Sequence, residues 1–280
     1  MKIWAQTLIK NEERYIWFSL MSVIDYVDKI MVWDTGSSDN TVNIVKEVMK
    51  KYPKKIDFRE MGEVDVNGYT VLRQKMLNET FADWFMILDG DEVWWQDSIA
   101  NCTKLIRNNG KSYDTIVTPF INVVGDVYHH LGGGGCNYVI DGKRGCYTIR
   151  FMNKNIPGLI TKKPHGQHGY FDGKGTLIQE RDAKRRFWME NYPFLHFTNV
   201  QRSDSRNNDL KVPKRNIKLK YEIGKSFTLD FYYPEVFFKG VPRIVGSPWK
   251  NMTSAYKIKS VVTKPLKKLK NMILKSGTGY

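Results

Sequence analysis

Cysteine is scarce in this chain. There are 3 in 280 residues, Cys102, Cys136 and Cys146, an odd count with no Cys-x-x-Cys spacing. That argues against a disulfide framework or a structural zinc site, and for a reducing compartment. No run of residues approaches the ~18 apolar positions of a membrane span. Lys10, Glu12, Glu13 and Arg14 interrupt the one apolar stretch near the start, so no signal peptide is expected. The reading is a cytoplasmic protein, soluble or peripheral at the inner face of a membrane. Two phosphate-cradling patterns are missing as well: the Gly-x-Gly-x-x-Gly of a dinucleotide fold and the Gly-Lys-Ser/Thr of a P-loop. What remains is ordinary globular material, 41% hydrophobic and 13% aromatic.

Charge is unevenly placed. The net charge is +15. Residues 1–200 carry 26 Lys and Arg against 24 Asp and Glu, whereas residues 201–280 carry 18 against 5, so the C-terminal part holds +13. A basic block of this size points to a polyanion, either an anionic membrane face or nucleic acid. A solubilising tail is the plainer alternative.

The first hundred residues alternate. Lys2 to Ile9 reads as a strand, and Asn11 is a plausible N-cap for a helix with apolar positions Ile16, Leu20, Val23, Ile24 and Val27. Lys29 to Trp33 is the next strand and ends in Asp34-Thr35-Gly36-Ser37-Ser38-Asp39. A helix carrying Val42, Val45 and Val48 follows, then a strand at Ile56 to Phe58, then a helix from about Thr70 to Glu79. This β-α-β-α-β-α-β order is the pattern of a parallel sheet with crossover helices, which binds ligands at the C-terminal edges of its strands. Asp34, with serine hydroxyls and backbone N–H groups nearby, has the character of an acid for the sugar or base of a nucleotide.

The stretch Trp84-Phe85-Met86-Ile87-Leu88-Asp89-Gly90-Asp91-Glu92 carries most of the chemistry. Five apolar residues predict a strand buried on both faces. Three carboxylates at its end repel one another and call for a positive partner. Hard divalent cations such as Mg²⁺ or Mn²⁺ take oxygen ligands, often a carboxylate or two plus substrate phosphates. A solvated acidic turn is the bland alternative.

In order and spacing, Leu8-Ile9-Lys10-Asn11-Glu12-Glu13, Val32 to Thr41 and Trp84 to Glu92 resemble the N-terminal half of family 2 glycosyltransferases of the GT-A fold. The resemblance covers residues 1 to about 95 closely and 113–200 loosely. It implies an α/β, Rossmann-type domain, with a central, mostly parallel sheet flanked by helices; the residue pattern adds a mixed β second half from about residue 113 and, beyond it, a basic helical tail. The resemblance also implies a metal-dependent, inverting transferase that uses Mn²⁺ or Mg²⁺ and a nucleoside-diphosphate sugar. Ile9, Asn11 and Glu12 would line the nucleotide pocket, with Asp34 as a base- or ribose-binding acid. Arg73 would lie near the diphosphate, where Gln74 replaces the family's Asn. Asp91 would be the direct metal ligand, Asp89 and Gly90 would lie nearer the ribose, and Glu92 matches the variant ending in Asp-Glu.

The acceptor's general base, a carboxylate from the second half in this family, has four candidates: Asp172 first, then Glu180, Asp182 and Glu190. His168 and His196 are the candidates for a third metal ligand, since neutral imidazole is a competent donor. His165 lies in the same loop as His168. Trp94 and Trp95 fit either a sugar-stacking platform or core packing, and Lys184-Arg185-Arg186 an exposed basic turn. The four glycines at 132–135 fit a lid or a plain hairpin.

The division expected is a transferase domain over 1–225, with a nucleotide-sugar half (1–112) and an acceptor half (113–225), and a basic, aromatic-rich extension over 226–280. Residues 201–215 read as a surface helix or linker. In the last twenty residues Val262, Leu266, Leu269 and Ile273 share one helical face, with Lys264, Lys267, Lys268, Lys270 and Lys275 around it, which suits an anionic bilayer. The acceptor would be a glycan, a lipid-linked sugar or a cell-surface group, in polysaccharide biosynthesis. The alternatives are a nucleic-acid-binding protein or nucleic-acid glycosyltransferase using that tail, and a sugar-phosphate nucleotidyltransferase.

Overall fold

A computed structural model of the chain describes residues 1–132, 136, 138–164, 167–213, 215–218 and 221–273. Its first half runs β1 (Ile3–Ile9), α1 (Ile16–Val23), β2 (Lys29–Asp34), α2 (Thr41–Lys51), β3 (Ile56–Glu60), α3 (Val66–Asn78), β4 (Trp84–Ile87), β5 (Glu92–Trp94) and α4 (Gln96–Asn109). Strands β3, β2, β1 and β4 lie side by side in that order, every pair parallel. The winding reverses at β1, with β2 and β3 on one side and β4 on the other. Such a switch point opens a crevice beyond the carboxyl ends of the strands. Here those ends are Ile9 and the turn that leads to Asp89 and Asp91.

The second half is mixed β: β6 (Thr115–Val124), β7 (His129–His130), β8 (Tyr138–Ile140), β9 (Lys143–Gly145), β10 (Tyr147–Asn153), β11 (Ile160–Lys162), β12 (Gly169–Phe171), β13 (Arg186–Trp188) and β14 (Phe194–Asn199). Strand β10 joins the parallel core antiparallel to β4 and carries β6 on its far side. Strand β14 runs parallel to β6 and antiparallel to β5, and that register sets His196 opposite Glu92. Then come α5 (Arg206–Leu210), α6 (Arg215–Lys218), β15 (Lys225–Ser226) and α7 (Ser254–Ile273).

The core explains the order. Every residue of α1 is buried, an apolar helix held between the sheet and the neighbouring helices α2 and α4. The β4 residues Trp84, Phe85 and Met86 are buried on both faces, as a central parallel strand requires. Trp94 belongs to this core, stacked on Phe194 at 4.6 Å, which favours packing over a sugar platform. Trp95 packs edge-on against Phe231.

Four expectations are corrected. Asn11 caps no helix: it sits at φ +54° in a tight turn, and α1 begins only at Ile16. Residues 201–215 do hold a short, mostly exposed helix, α5, but the stretch is not only surface, because Arg202, Ser203, Asp209 and Arg215 are buried against the β1–α1 turn. The basic turn at 184–186 is only partly exposed: Arg186 is buried and paired with Asp141. Finally, Cys136 and Cys146 are disulfide-bonded, while Cys102 stays free and buried. The bond brackets the β8–β9 hairpin, whose pairing brings together two cysteines ten residues apart. Spacing alone gave no sign of that closure, and the argument from unlinked cysteines to a reducing compartment loses its premise.

After residue 225 the chain packs onto the body, burying Val236, Phe237, Val245 and Met252. Helix α7 exposes Ile258, Val261 and Val262, each more than 60% accessible. The side chains of Leu266, Leu269, Ile273, Lys264, Lys267, Lys268, Lys270 and Lys275, like His165 and the glycines at 133–135, lie outside the described residues. Among the described residues no helix is long and apolar enough to cross a membrane.

Candidate active site

The crevice at the switch point is a cavity of about 320 Å³. Its floor is the turn after β4. The Leu88 amide still donates to Gln6 in β1, at 3.1 Å, and the Glu92 amide closes the turn onto the Asp89 carbonyl, also at 3.1 Å. Ser19 of α1 donates to that same carbonyl at 3.0 Å. Gly90 is required here, because a Cβ would meet Glu12 Cγ at 2.9 Å. From the other side the Phe197 amide of β14 donates to the Asp91 carbonyl at 2.8 Å, which brings His196 to the turn.

An oxygen of Asp89, an oxygen of Asp91 and a ring nitrogen of His196 thus lie within 4.8 Å of one another. His196 Nε2 is 3.6 Å from Asp91 Oδ2, and Nδ1 is buried without a partner. Burial lowers the imidazole to about 4, outweighing the attraction of Asp91, so the ring is neutral near pH 7. Neutral imidazole beside two carboxylates is a competent donor set for a divalent cation.

The acids are not left to repel. Burial works to raise Asp89, yet Arg150 and then Arg73 hold it below the usual carboxylate range. Arg150 lies 3.2 Å from Asp89 and also binds Glu92; Arg73 approaches Asp89 at 3.5 Å from the opposite side. For Asp91 burial again pulls upward, and the Arg202 guanidinium prevails. Arg202 Nη1 stands 2.9 Å from Asp91 Oδ2 and 3.0 Å from Glu12 Oε1. Glu12 is also paired with Arg215, but burial dominates there and pushes its carboxyl up to about 7. Glu92, buried completely, is raised well above the ordinary value.

The sequence candidates divide accordingly. Ile9, Glu12, Asp89, Gly90, Asp91 and His196 line this cavity together. Arg73 and His168 line an adjoining space of about 200 Å³ that shares Tyr69, Asp89, Thr148 and Arg150 with it. His168 therefore stands apart from the Asp89–Asp91–His196 group. Asp34 and Asn11 lie behind the cavity wall: Asp34 accepts from the Gly36 and Ser37 amides at 2.9 Å each, and Asn11 accepts from the Ser38 amide at 2.7 Å. They shape the loop that presents Thr35 to the cavity.

None of the proposed bases reaches it. Asp172 accepts from the Lys174 and Thr176 amides and pairs with Arg181. Glu180 is exposed on a short 3₁₀ turn, Asp182 caps the next one, and Glu190 pairs with Lys143 at the surface. The reason is topological: among the described residues, the cavity lining passes from Arg150 in β10 to His196 in β14.

Sequence reasoning missed Arg150, Arg202, Arg215 and Lys218, all on the cavity wall. Arg150 had a signal, a lone charge between Ile149 and Phe151 in an apolar strand, where a charge is rarely buried unless paired. The others lie in a polar stretch with no periodicity to mark which face turns inward.

The profile of glycosyl transferase family 2 matches residues 7–174, which include the end of β1, the β2 turn, the acidic turn and Arg150. The chain belongs to this family. A dTDP-rhamnosyl transferase of Shigella flexneri is 29% identical over 151 aligned positions, covering 46% of this chain and 52% of that protein. The SPbeta prophage-derived glycosyltransferase SunS of Bacillus subtilis is 28% identical over 119 positions, covering 41% of this chain and 26% of its own. The chain thus spans about half or less of the length of these relatives. Among solved structures, S. aureus TarS 1–349 aligns over 99% of this chain and 76% of its own, at 13% identity and a TM-score of 0.44. Family membership rests on the profile match.

Proposed function

We propose that this family 2 protein transfers a sugar from a nucleoside diphosphate to an acceptor hydroxyl with a divalent cation bound at Asp89, Asp91 and His196. The observation that carries this is the convergence of two carboxylates and a neutral imidazole at the switch-point cavity, which arginines also line. A nitrogen beside two oxygens suits Mn²⁺ better than Mg²⁺, which prefers oxygen throughout. When bound, the cation would supply Lewis-acid neutralisation of the departing diphosphate. The chain's own contribution is positioning and charge. Ile9, Lys10 and Thr35 border the space for the nucleoside, while Arg215 and Lys218 bring positive charge to where the diphosphate would lie. Arg150 and Arg73 keep Asp89 ionised. Inversion, the outcome the resemblance implies, needs one base for the acceptor hydroxyl; in this reading it is none of Asp172, Glu180, Asp182 and Glu190. The sugar-phosphate nucleotidyltransferase alternative gives way to the family match.

The test is a thermal-shift panel of UDP-, GDP-, CDP- and dTDP-sugars, with Mn²⁺ and then with EDTA. dTDP-rhamnose belongs in it because a relative carries that donor in its name. A ligand bound only by the folded state raises Tm by mass action. A shift with one nucleotide class that EDTA abolishes is expected, and a flat panel would remove the assignment.

For α7 we propose an anionic membrane surface over nucleic acid. Its apolar Ile258, Val261 and Val262 face solvent beside Lys257 and Lys259, and a bilayer can take up both kinds of side chain. Co-sedimentation with phosphatidylserine vesicles, and none with phosphatidylcholine vesicles or DNA, is the expected result.

A further inference from the structure

We propose that Arg202 is an exchangeable cation of the site: it competes with the divalent cation for Asp91 and, as cation and nucleoside diphosphate enter together, turns from Asp91 onto the diphosphate as a positioning residue. This rests on the metal-dependent reading above. Three observations support it. First, Arg202 Nη1 lies 2.9 Å from Asp91 Oδ2, the oxygen that also faces His196 Nε2 at 3.6 Å. A divalent cation held there and a guanidinium at that distance would repel, so the two compete for the oxygen.

Second, the guanidinium is ion-paired but incompletely hydrogen-bonded although it is buried. Its contact with Asp91 lacks hydrogen-bond geometry, leaving Asp91 Oδ2 without a donor, and Arg202 Nε has no acceptor. Among the described residues its one hydrogen bond to a side chain is to Glu12, at 3.0 Å, and Arg215 also binds that carboxylate. Glu12 therefore keeps a cation when Arg202 leaves.

Third, the backbone is pinned. The Arg202 carbonyl accepts from the Arg14 amide at 3.0 Å, and its own amide donates to Asp209 at 3.2 Å. The exchange is then a rotation of one side chain into the cavity that Arg202 already lines, with no movement of the strap. A planar guanidinium suits a diphosphate better than the single carboxylate oxygen it leaves.

The consequence is that cation and diphosphate assist one another, because one displaces the guanidinium that the other accepts. Such coupling is reciprocal. The experiment measures Mn²⁺ alone by calorimetry or by the paramagnetic resonance of free Mn²⁺. Nucleoside diphosphate, of the class picked out by the panel, is then titrated at saturating Mn²⁺, in wild type and in Arg202→Gln. The variant is expected to bind Mn²⁺ alone about tenfold more tightly and the diphosphate about tenfold more weakly, within the usual range of coupling factors. Unchanged or weakened Mn²⁺ binding in the variant would overturn the exchange and leave Arg202 a fixed contact. Should Arg202→Gln fail to fold, Arg202→Lys is read the same way: its compact charge still opposes the cation, so Mn²⁺ affinity stays near wild type while the diphosphate weakens. Tighter Mn²⁺ binding by that variant would overturn the proposal. A wild type that binds neither ligand removes the metal-dependent reading itself and this inference with it.

Discussion

Two networks of arginine and carboxylate, one within the second half and one where the second half meets the first, differ in completeness. At Asp114 and Asp172 every oxygen is occupied. Asp114 accepts from Arg185 Nε at 2.8 Å and from Arg181 Nη2 at 2.7 Å, while Asp172 takes two backbone amides and Arg181. At the switch point, atoms are left over. Asp91 Oδ2, Glu12 Oε2, Glu92 Oε2, His196 Nδ1 and the Nε atoms of Arg150, Arg202 and Arg215 are buried with no hydrogen-bond partner. Buried polar groups are ordinarily satisfied, and each exception asks for a ligand, an ion or a strain account. The satisfied network fastens β6 to the β12 turn. The unsatisfied one surrounds a cavity, and its spare capacity is what a cation and a diphosphate would use.

The sharpest way to break this contrast is at Asp91. Asp91→Asn keeps the shape but removes the charge that Arg202 and the cation both need. Mn²⁺-dependent nucleotide binding should fall by about two orders of magnitude, the upper end of what loss of metal-site support costs, with the fold intact by circular dichroism. Retained affinity would mean that the switch-point network is as structural as the other. Next is His196→Asn, which removes one nitrogen donor and leaves both carboxylates. Mn²⁺ affinity should drop about tenfold, read by the same titration, with Mg²⁺ affinity less affected because that ion favours oxygen.

The donor half was readable from its residues because local rules agree there. Periodicity marked α1 and α2, the apolar run marked β4, and the turns after β1, β2 and β4 lie where the alternation puts them. Asp89 and Asp91 followed from that, since a switch point gathers successive strand ends, while Glu12 and Gly90 entered through the family resemblance. His196 was readable as a half-buried strand residue, but its pairing opposite Glu92 depends on a register between strands a hundred residues apart. Arg202 and Arg215 were not readable. Their stretch is polar throughout, and what draws it inward is the acid cluster, which compensates their burial only once the fold exists. Asp172 misled for the converse reason: a carboxylate in a Gly-rich loop looks available, and nothing local reveals that Arg181 and two amides occupy it.

The satisfied network gives smaller and different effects. Arg181→Met leaves Asp114 and Asp172 without their shared guanidinium, and removing one partner of a buried pair destabilises more than the pair itself contributed. Differential scanning calorimetry should show Tm lowered by a few degrees, with nucleotide affinity at the wild-type level. A loss of affinity without a change in Tm would place Arg181 in the site and undo the distinction.

The subtlest effect is on pH dependence. The Thr176 amide, and then the Arg181 guanidinium, outweigh burial and hold the Asp172 carboxyl below its ordinary 3.8. The unfolded chain therefore binds the proton first as pH falls. The stability linked to Asp172 is fully present above that ordinary value and is lost on descending through the folded one. Asp172→Asn cannot titrate, so it should be less stable than wild type near pH 7 and should lose less stability on acidification. Urea unfolding between pH 3 and 7 should show the two curves converging toward the acid end. Parallel curves would mean that Asp172 titrates alike in both states, and that the closed network is held by packing around it rather than by its charge.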